Sequence, residues 1–178
     1  MSGHSKWSQI KHKKSSTDAK KGQLFSKLVK EITVAAKGGG ANHDSNARLR
    51  SAIERGKSLG LPKDNIERAL KRASGLEAGI DLQEFTYEIL GPGGVFMIVT
   101  GITDNKNRCL AEIKKILGMF SAKLTNPGSL IWNFERDGQS FIPKTHIETN
   151  PQDREVLDKL LELLKEHEDI QEIYTNIK

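Results

Sequence analysis

Residues 85–99, FTYEILGPGGVFMIV, decide the fold class of this chain. Phe85, Tyr87 and Ile89 alternate with polar residues, which predicts a strand with one buried face. The glycine-rich GPGG at 91–94 predicts a turn, because Pro92 lacks the backbone donor that a phosphate-binding loop would use. The continuously apolar run at 95–99 is typical of a central strand. The sequence therefore predicts a β-hairpin inside a sheet.

Downstream of this hairpin, the pattern predicts a helix after Asp104 and Asn105, a strand around Trp132, a helix over 153–167 and a strand over 170–177. Trp132 is expected in the core, since it alternates with Leu130 and Phe134. Strands and helices in this order predict an α+β fold, a ferredoxin-like two-layer α/β sandwich with a mostly antiparallel sheet. This sandwich domain is assigned to residues 80–178.

Upstream, three apolar stripes at helical spacing predict a three-helix domain over residues 17–75. The first helix is expected to begin at Thr17 or Asp18 and to end before Gly38-Gly39-Gly40, with Leu28 and Ile32 inward. The second begins near Ser45, and Pro62 suits the first turn of the third. Residues 1–16 show no periodicity and are interpreted as a flexible basic tail.

The charge is segregated along the chain. Residues 1–80 carry 17 Lys and Arg against 7 Asp and Glu, a net charge of +10, whereas residues 81–178 have a net charge of −5. Such asymmetry indicates that the first part meets a polyanion, in keeping with a nucleic-acid partner. A membrane partner is not expected, because the apolar residues are needed for a core. The single Cys109 and the lack of a signal-like apolar stretch favour the cytoplasm.

Catalytic, metal-binding and cofactor-binding patterns are not found in the sequence. There is no GxxxxGK[ST] and no GxGxxG after a strand, and no two of the five histidines form a helical metal pair. Cys109 is interpreted as a small packed residue rather than a nucleophile. We therefore expect a non-enzymatic protein without metal, cofactor or small-molecule substrate.

The candidate nucleic-acid-binding residues are basic and aromatic side chains of the first 80 residues. Lysines and arginines would neutralise phosphates, and Trp7 would stack on a base. In the tail these residues are Lys6, Trp7, Lys11, His12, Lys13 and Lys14, and on the helices they are Lys27, Lys30, Arg48, Arg50, Arg68 and Arg72.

The segment Asp104-Asn105-Lys106-Asn107-Arg108 admits two interpretations. Asp104 and Asn105 fit the cap of the following helix. Lys106 and Arg108 at a helix N-terminus oppose the helix dipole, and an anion such as phosphate would relieve that conflict.

Ordered motifs along nearly the whole chain resemble those of the YebC/PmpR family, whose mitochondrial relatives act as translational activators. They include GHSKW at 3–7, FSKL at 25–28, PKDNIERA at 62–69, GPGG at 91–94 and TDNKNR at 103–108. IKH at 10–12, ARLR at 47–50, YE at 87–88, GS at 128–129, FER at 134–136 and IQEIYTN at 170–176 complete the set.

One departure from the family pattern is internal. The segment FERDG at 134–138 is followed almost at once by Phe141-Ile142-Pro143, where family members usually carry an inserted third domain. The chain therefore resembles a short form lacking that domain, and the remaining pieces still complete one sandwich.

Two target classes stay open. The resemblance to translational activators and the lysine-rich tail favour RNA or the ribosome, since unpaired bases suit an irregular surface. Many family members are described as transcriptional regulators, which favours double-stranded DNA. Asn65, Arg68 and Arg72 on the third helix could then form a recognition element, although no helix-turn-helix spacing or dimer seam is evident. We expect an RNA- or ribosome-contacting translation factor, with the DNA-binding regulator as the alternative.

Overall fold

The computed structural model describes residues 4–76, 78–79 and 81–178, with side chains described from Thr17 onward in those ranges. The chain divides into two compact units, Met1–Gly79 and Ile80–Lys178. Within the described ranges, no helix is long and apolar enough to cross a bilayer.

The first unit consists of three helices, α1 (His4–Gly39), α2 (Ala47–Ser58) and α3 (Lys63–Ala73). Their apolar stripes face one another and form one core, as the helical spacing predicted. The buried members of this core are Leu28, Ile32, Ala35, Ala36, Leu49, Ala52, Ile53, Leu61, Ile66 and Ala69.

The predicted start of the first helix is wrong. We expected it at Thr17 or Asp18, but α1 begins at His4, so the backbone of residues 4–16 continues the helix. The physical reason is that no glycine or proline interrupts the chain between His4 and Lys21, and lysine, glutamine and alanine favour helix. Capping residues such as Thr17 are tolerated inside a helix and therefore do not always mark its start.

Asn46 joins the ends of two helices. Its side-chain oxygen accepts the backbone N–H of Leu49 at 3.0 Å and caps α2. Its side-chain nitrogen donates to the carbonyls of Ala35 at 2.8 Å and Gly40 at 2.9 Å, at the end of α1. The residue is buried, so these three bonds fix the turn between α1 and α2.

The second unit has two sheets and two helices. The strands are β1 (Gln83–Leu90), β2 (Phe96–Thr103), β3 (Lys123–Leu124), β4 (Phe134–Asp137), β5 (Ser140–Pro143) and β6 (Ile170–Thr175), and the helices are α4 (Lys106–Gly118) and α5 (Pro151–Glu166). The larger sheet has the order β3-β1-β2-β6, with every pair antiparallel. A 3-10 turn at Pro92–Gly94 joins β1 and β2, as the GPGG motif predicted.

Both helices pack on one face of this sheet, so the expected two-layer α+β arrangement is confirmed. Their inward residues meet Phe85, Ile89, Met97 and Val99 of the sheet in the main core. The unit opens with the β1–β2 hairpin, so its chain order differs from the βαββαβ order of the ferredoxin-like motif. The unit resembles that motif only in its two layers, a layer of two helices packed on one face of an antiparallel sheet.

The other face of the sheet is partly covered by the β4–β5 hairpin. Phe134 and Phe141 pack on Ile98, with Phe96 and Tyr174 at their side. Asp137 pairs with Ser140 across a two-residue turn, and Gly138 has a φ of 59°. Glycine as the first residue of such a turn fits type II′. The hairpin closes where the sequence indicated a missing domain.

The prediction for Trp132 is wrong. Residues Ile131–Asn133 form a 3-10 turn rather than a strand, and β4 begins only at Phe134. The side chain of Trp132 is 61% exposed instead of lying in the core. The reason is a contact between distant residues, described with the candidate site.

Candidate functional site

The predicted nucleic-acid-binding residues of the tail lie on the N-terminal part of α1. Their backbone is helical from His4, but the side chains of Lys6, Trp7, Lys11, His12, Lys13 and Lys14 lie outside the described side chains. Their role in binding stays a prediction.

The other six predicted residues are distributed over all three helices. Lys27 and Lys30 on α1 and Arg48 on α2 are half-buried, whereas Arg50, Arg68 and Arg72 are exposed. They share one unit of the chain but form no single described cluster. Their function also stays a prediction.

Two of the arginines are oriented by neutral oxygens. Arg68 donates to the side-chain oxygen of Asn65 at 2.9 Å and to the carbonyl of Asp64 at 3.3 Å. Arg50 donates to the carbonyl of Asp44 at 3.4 Å. These bonds hold the guanidinium groups without cancelling their charge. By contrast, Arg55 lies 3.7 Å from the carboxylate of Glu31 and Lys63 lies 3.4 Å from that of Glu67.

In the second unit, Arg108 is surrounded by carboxylates. Its Nη2 atom lies 2.8 Å from Asp104 and 2.9 Å from the fully buried Asp169, and its Nη1 atom lies 3.6 Å from Glu168. Desolvation opposes the charged form, but Asp169 and Asp104 outweigh it and raise the pKa of Arg108. Carboxylates of the protein, rather than a phosphate, relieve the conflict of Arg108 with the helix dipole.

Asn105 caps α4 by accepting the backbone N–H of Arg108 at 3.0 Å, as one of the two interpretations predicted. Because Gly101 has no side chain, the backbone of Asp169, just before β6, lies against β2. Asp169 can therefore reach this end of α4. A Cβ at Gly101 would collide with the ring of Phe85 and the carbonyl of Asp169. The hydroxyl of Thr103 also donates to Asp169, at 2.9 Å.

Among the described side chains, one group has the proximity that a metal site requires. Ligand atoms of Cys109, His167 and Asp169 all lie within 4.8 Å of one another, a proximity that the sequence did not reveal because His167 is 58 positions from Cys109. In the structure two of these side chains have other protein partners. His167 accepts the backbone N–H of Asp169 at 3.2 Å and faces Glu112 at 3.1 Å, and the carboxylate of Asp169 accepts from Arg108 and Thr103.

The chemistry of this group does not favour a metal. Burial, with the nearby carboxylates of Asp169 and Glu112, raises the pKa of the Cys109 thiol to about 12, so the thiolate that a metal needs is disfavoured. A cation would also compete with the guanidinium of Arg108 for Asp169. The arrangement fits a packed thiol in a polar network, as the sequence analysis expected of Cys109.

A buried carboxylate shapes the loop before Trp132. Glu88 is 5% exposed and accepts the backbone N–H groups of Gly128 at 2.5 Å, Leu130 at 2.6 Å and Ile131 at 3.0 Å. These bonds turn the chain out of a strand and present Trp132 to solvent. Sequence alternation assigned Glu88 to a solvent face. The signal against that assignment was the fully apolar run at 95–99, which requires cover on both faces of the sheet.

The indole of Trp132 is fixed on this loop. Its Nε1 atom donates to the carbonyl of Ser129 at 2.8 Å, and its ring meets Phe96 edge-on, with centroids 6.2 Å apart. Lys144 donates from Nζ to the carbonyl of Trp132 at 3.0 Å. An exposed aromatic side chain is therefore held in one orientation beside an ammonium group.

Comparison with known proteins gives two family matches. A family described as the TACO1/YebC protein N-terminal domain matches residues 5–76. A second, described as the TACO1/YebC second and third domain, matches residues 82–140. The two matches fall on the helical unit and on the mixed unit.

Individual relatives agree. A probable transcriptional regulatory protein of Dictyoglomus thermophilum is 51% identical over 152 residues, which are 85% of this chain and 61% of the relative. One of Petrotoga mobilis is 47% identical over 148 residues, 83% of this chain and 59% of the relative. The chain thus matches about three fifths of the length of these relatives. The crystal structure of a conserved hypothetical protein from Aquifex aeolicus has a TM-score of 0.84 at 27% identity, covering 90% of this chain and 91% of that one.

Proposed function

Since this chain belongs to the TACO1/YebC family, we propose that it is a non-enzymatic regulator of gene expression that contacts RNA, most directly the RNA of the ribosome. Its helical unit would bind the phosphate backbone, and its second unit would position that contact. The proposed setting is the cytoplasm, where ribosomes are available.

The observation that supports this proposal is the positive charge of the first unit. Residues 1–80 have a net charge of +10, and Arg50 and Arg68 are held by neutral oxygens in orientations that leave their charge available to phosphates. A helical surface needs charged residues to be solvated, but its stability does not require that they all have the same sign. The excess of positive charge therefore supports a binding role. An irregular RNA surface with unpaired bases also offers a stacking partner for Trp7.

A second candidate function is transcriptional regulation through double-stranded DNA. The observation that favours it is that the relatives from Petrotoga mobilis and Dictyoglomus thermophilum are named probable transcriptional regulatory proteins. On this alternative, α3 would enter a groove with Arg68 and Arg72. Arg68 is bonded to Asn65 and Asp64 of its own helix, and it would have to exchange these bonds for base contacts.

The decisive experiment is co-sedimentation of the full chain with ribosomes through a sucrose gradient at near-physiological salt. It is run beside a variant in which Lys6, Lys11, Lys13 and Lys14 are all replaced by glutamine. We expect the unmodified chain to migrate with ribosomes and the variant to stay largely at the top. A matched control replaces Lys114, Lys115, Lys159 and Lys165, which are exposed on α4 and α5, and should still co-migrate.

The outcomes separate the two candidates. If the full chain stays at the top of the gradient but binds duplex DNA at the same salt, the RNA proposal is wrong and the DNA candidate replaces it. If both glutamine variants lose ribosomes equally, general charge rather than the N-terminal segment determines binding.

A further inference from the structure

The second unit carries an aromatic surface that its own core does not use. Trp132 is 61% exposed although it is one of the largest apolar side chains, and exposing such a ring costs free energy. The loop that presents it is held by three hydrogen bonds to the buried carboxylate of Glu88. A ligand that covers the ring would therefore not have to order the loop first.

The contacts of the indole determine what it offers to a ligand. Its only donor, Nε1, is already bonded to Ser129, and its ring forms a T-shaped pair with Phe96. A ligand consequently meets the π surface rather than an open N–H group. Stacking on a flat ring uses that surface and needs no hydrogen bond, as in single-stranded nucleic-acid sites.

Positive charge lies beside the ring. Lys144 is held at the carbonyl of Trp132, and it is exposed. Lys123 is in register with Leu90, which is in register with Phe96, so these three residues project from the same face of the sheet. Two strand spacings place the backbone of Lys123 about 10 Å from the backbone of Phe96. Among the strand carboxylates on this face, Glu88 is buried and accepts backbone N–H groups. Glu84, six residues before Leu90, and Glu172, opposite Thr100, lie farther along the strands.

We propose that Trp132, flanked by Lys144 and Lys123, is a second RNA-binding site, at which an unpaired base stacks on the indole and adjoining phosphates meet the lysines. This inference rests on the proposed RNA-binding function and adds a contact outside the basic helical unit. The ligand is single-stranded RNA, because a paired base has no exposed face to give the ring.

The chain allows a direct test, since Trp7 and Trp132 are its two tryptophans. In the variant Trp7→Phe, all tryptophan fluorescence comes from Trp132. In Trp132→Phe, it comes from Trp7. Each variant is titrated with an unstructured oligoadenosine and with a duplex RNA of equal charge. We expect the oligoadenosine to quench Trp132 in the first variant and the duplex to leave it nearly unchanged.

Affinity measured by anisotropy of labelled oligoadenosine gives the second readout. Trp132→Ala should weaken binding by roughly 5- to 150-fold, the range for loss of one stacked base, and Trp132→Phe should retain most of it. The matched control is Met119→Ala, which removes an apolar side chain of similar exposure, 65%, at the end of α4 in the helical layer. It should leave affinity unchanged.

The outcomes distinguish this inference from the function on which it rests. Quenching of Trp7 without quenching of Trp132, together with unchanged affinity of Trp132→Ala, would overturn the second site and leave RNA binding by the first unit in place. Absence of oligoadenosine binding by the unmodified chain would overturn the second site, and absence from the ribosome fractions as well would overturn both. Equal quenching by duplex and single strand would show that the ring does not stack on an unpaired base.

Discussion

At the scale of single residues, Arg108 supplies the cation that faces the buried carboxylate of Asp169, at 2.9 Å. Asp169 has no solvent exposure, and its carboxylate is satisfied by Arg108 and Thr103. A buried carboxylate that loses its cation bears a desolvation cost without compensation. Arg108 is partly exposed, so water would recover part of that loss.

We expect Arg108→Ala to lower the free energy of unfolding by about 1–3 kcal/mol. Urea titration followed by circular dichroism measures it. The control is Arg154→Ala, which removes the exposed pair of Arg154 with Asp158 at 3.2 Å and should cost less than about 1 kcal/mol. Equal losses would show that Asp169 does not depend on Arg108.

Cys109 makes stability depend on pH at the alkaline end. Its thiol pKa is raised to about 12 in the folded chain, above the ordinary 9.0, chiefly by burial. Above pH 9 the unfolded thiol loses its proton while the folded thiol keeps it, so rising pH favours unfolding. Relative to Cys109→Ser, the unmodified chain should lose about 1 kcal/mol by pH 10. Parallel pH profiles in urea titrations would contradict this expectation.

At the scale of elements, the local sequence pattern was sufficient to predict a helix where that helix is stabilised by its own stripe of apolar residues. The buried faces of α1, α2 and α3 are the ones that the spacing predicted, except that Leu59, expected inward at the end of the second helix, is 41% exposed and Leu61 is buried instead. Asn105 caps α4 as expected. The start of α1 was missed, because the segment between His4 and Lys21 has no glycine or proline and the helix therefore does not have to begin at a capping residue.

Local patterns failed where distant residues decide the structure. Trp132 alternates with apolar neighbours as in a buried strand, yet Glu88, more than 40 positions earlier, binds the preceding loop and forces a 3-10 turn. The proximity of His167 to Cys109 arises from the packing of α4 and α5. For the candidate site, the sequence could assign charge to one unit, but it could not identify the exposed ring in the other.

The joint between α1 and α2 provides a test at this scale. Asn46→Ala removes three hydrogen bonds in a buried place, and we expect a loss of about 2–3 kcal/mol in the free energy of unfolding. Asn46→Asp keeps the oxygen that caps α2, but it replaces the amide donor with a carboxylate oxygen that cannot donate to the carbonyls of Ala35 and Gly40. It should therefore be no more stable than the alanine variant in thermal unfolding. If Asp restored stability, the cap alone would explain the role of Asn46.

At the scale of the whole molecule, segregation of charge governs how the chain meets a polyanion. A basic unit of +10 is joined to an acidic unit of −5, so the chain should approach nucleic acid with its first unit. The lysines of that unit should determine the salt dependence of binding, because each neutralised phosphate releases counterions.

The prediction concerns the slope of log affinity against log salt for single-stranded RNA. Replacing Lys6, Lys11, Lys13 and Lys14 by glutamine should reduce its magnitude by up to about 3, at roughly 0.7 for each phosphate contact. Anisotropy titrations between low and physiological salt measure the slope. An unchanged slope would show that these lysines make no phosphate contact.

The tight turn between β4 and β5 also tells how such a protein can gain or lose a whole domain. Paired residues Asp137 and Ser140 hold the two strand ends side by side, and the tip is tied by a bond from Arg136 to the carbonyl of Gly138 at 3.2 Å. Any polypeptide whose own termini lie about 5.5 Å apart could be spliced there without moving either strand. The turn is thus a site for domain insertion. A fluorescent or affinity module inserted between Gly138 and Gln139 should leave both units folded.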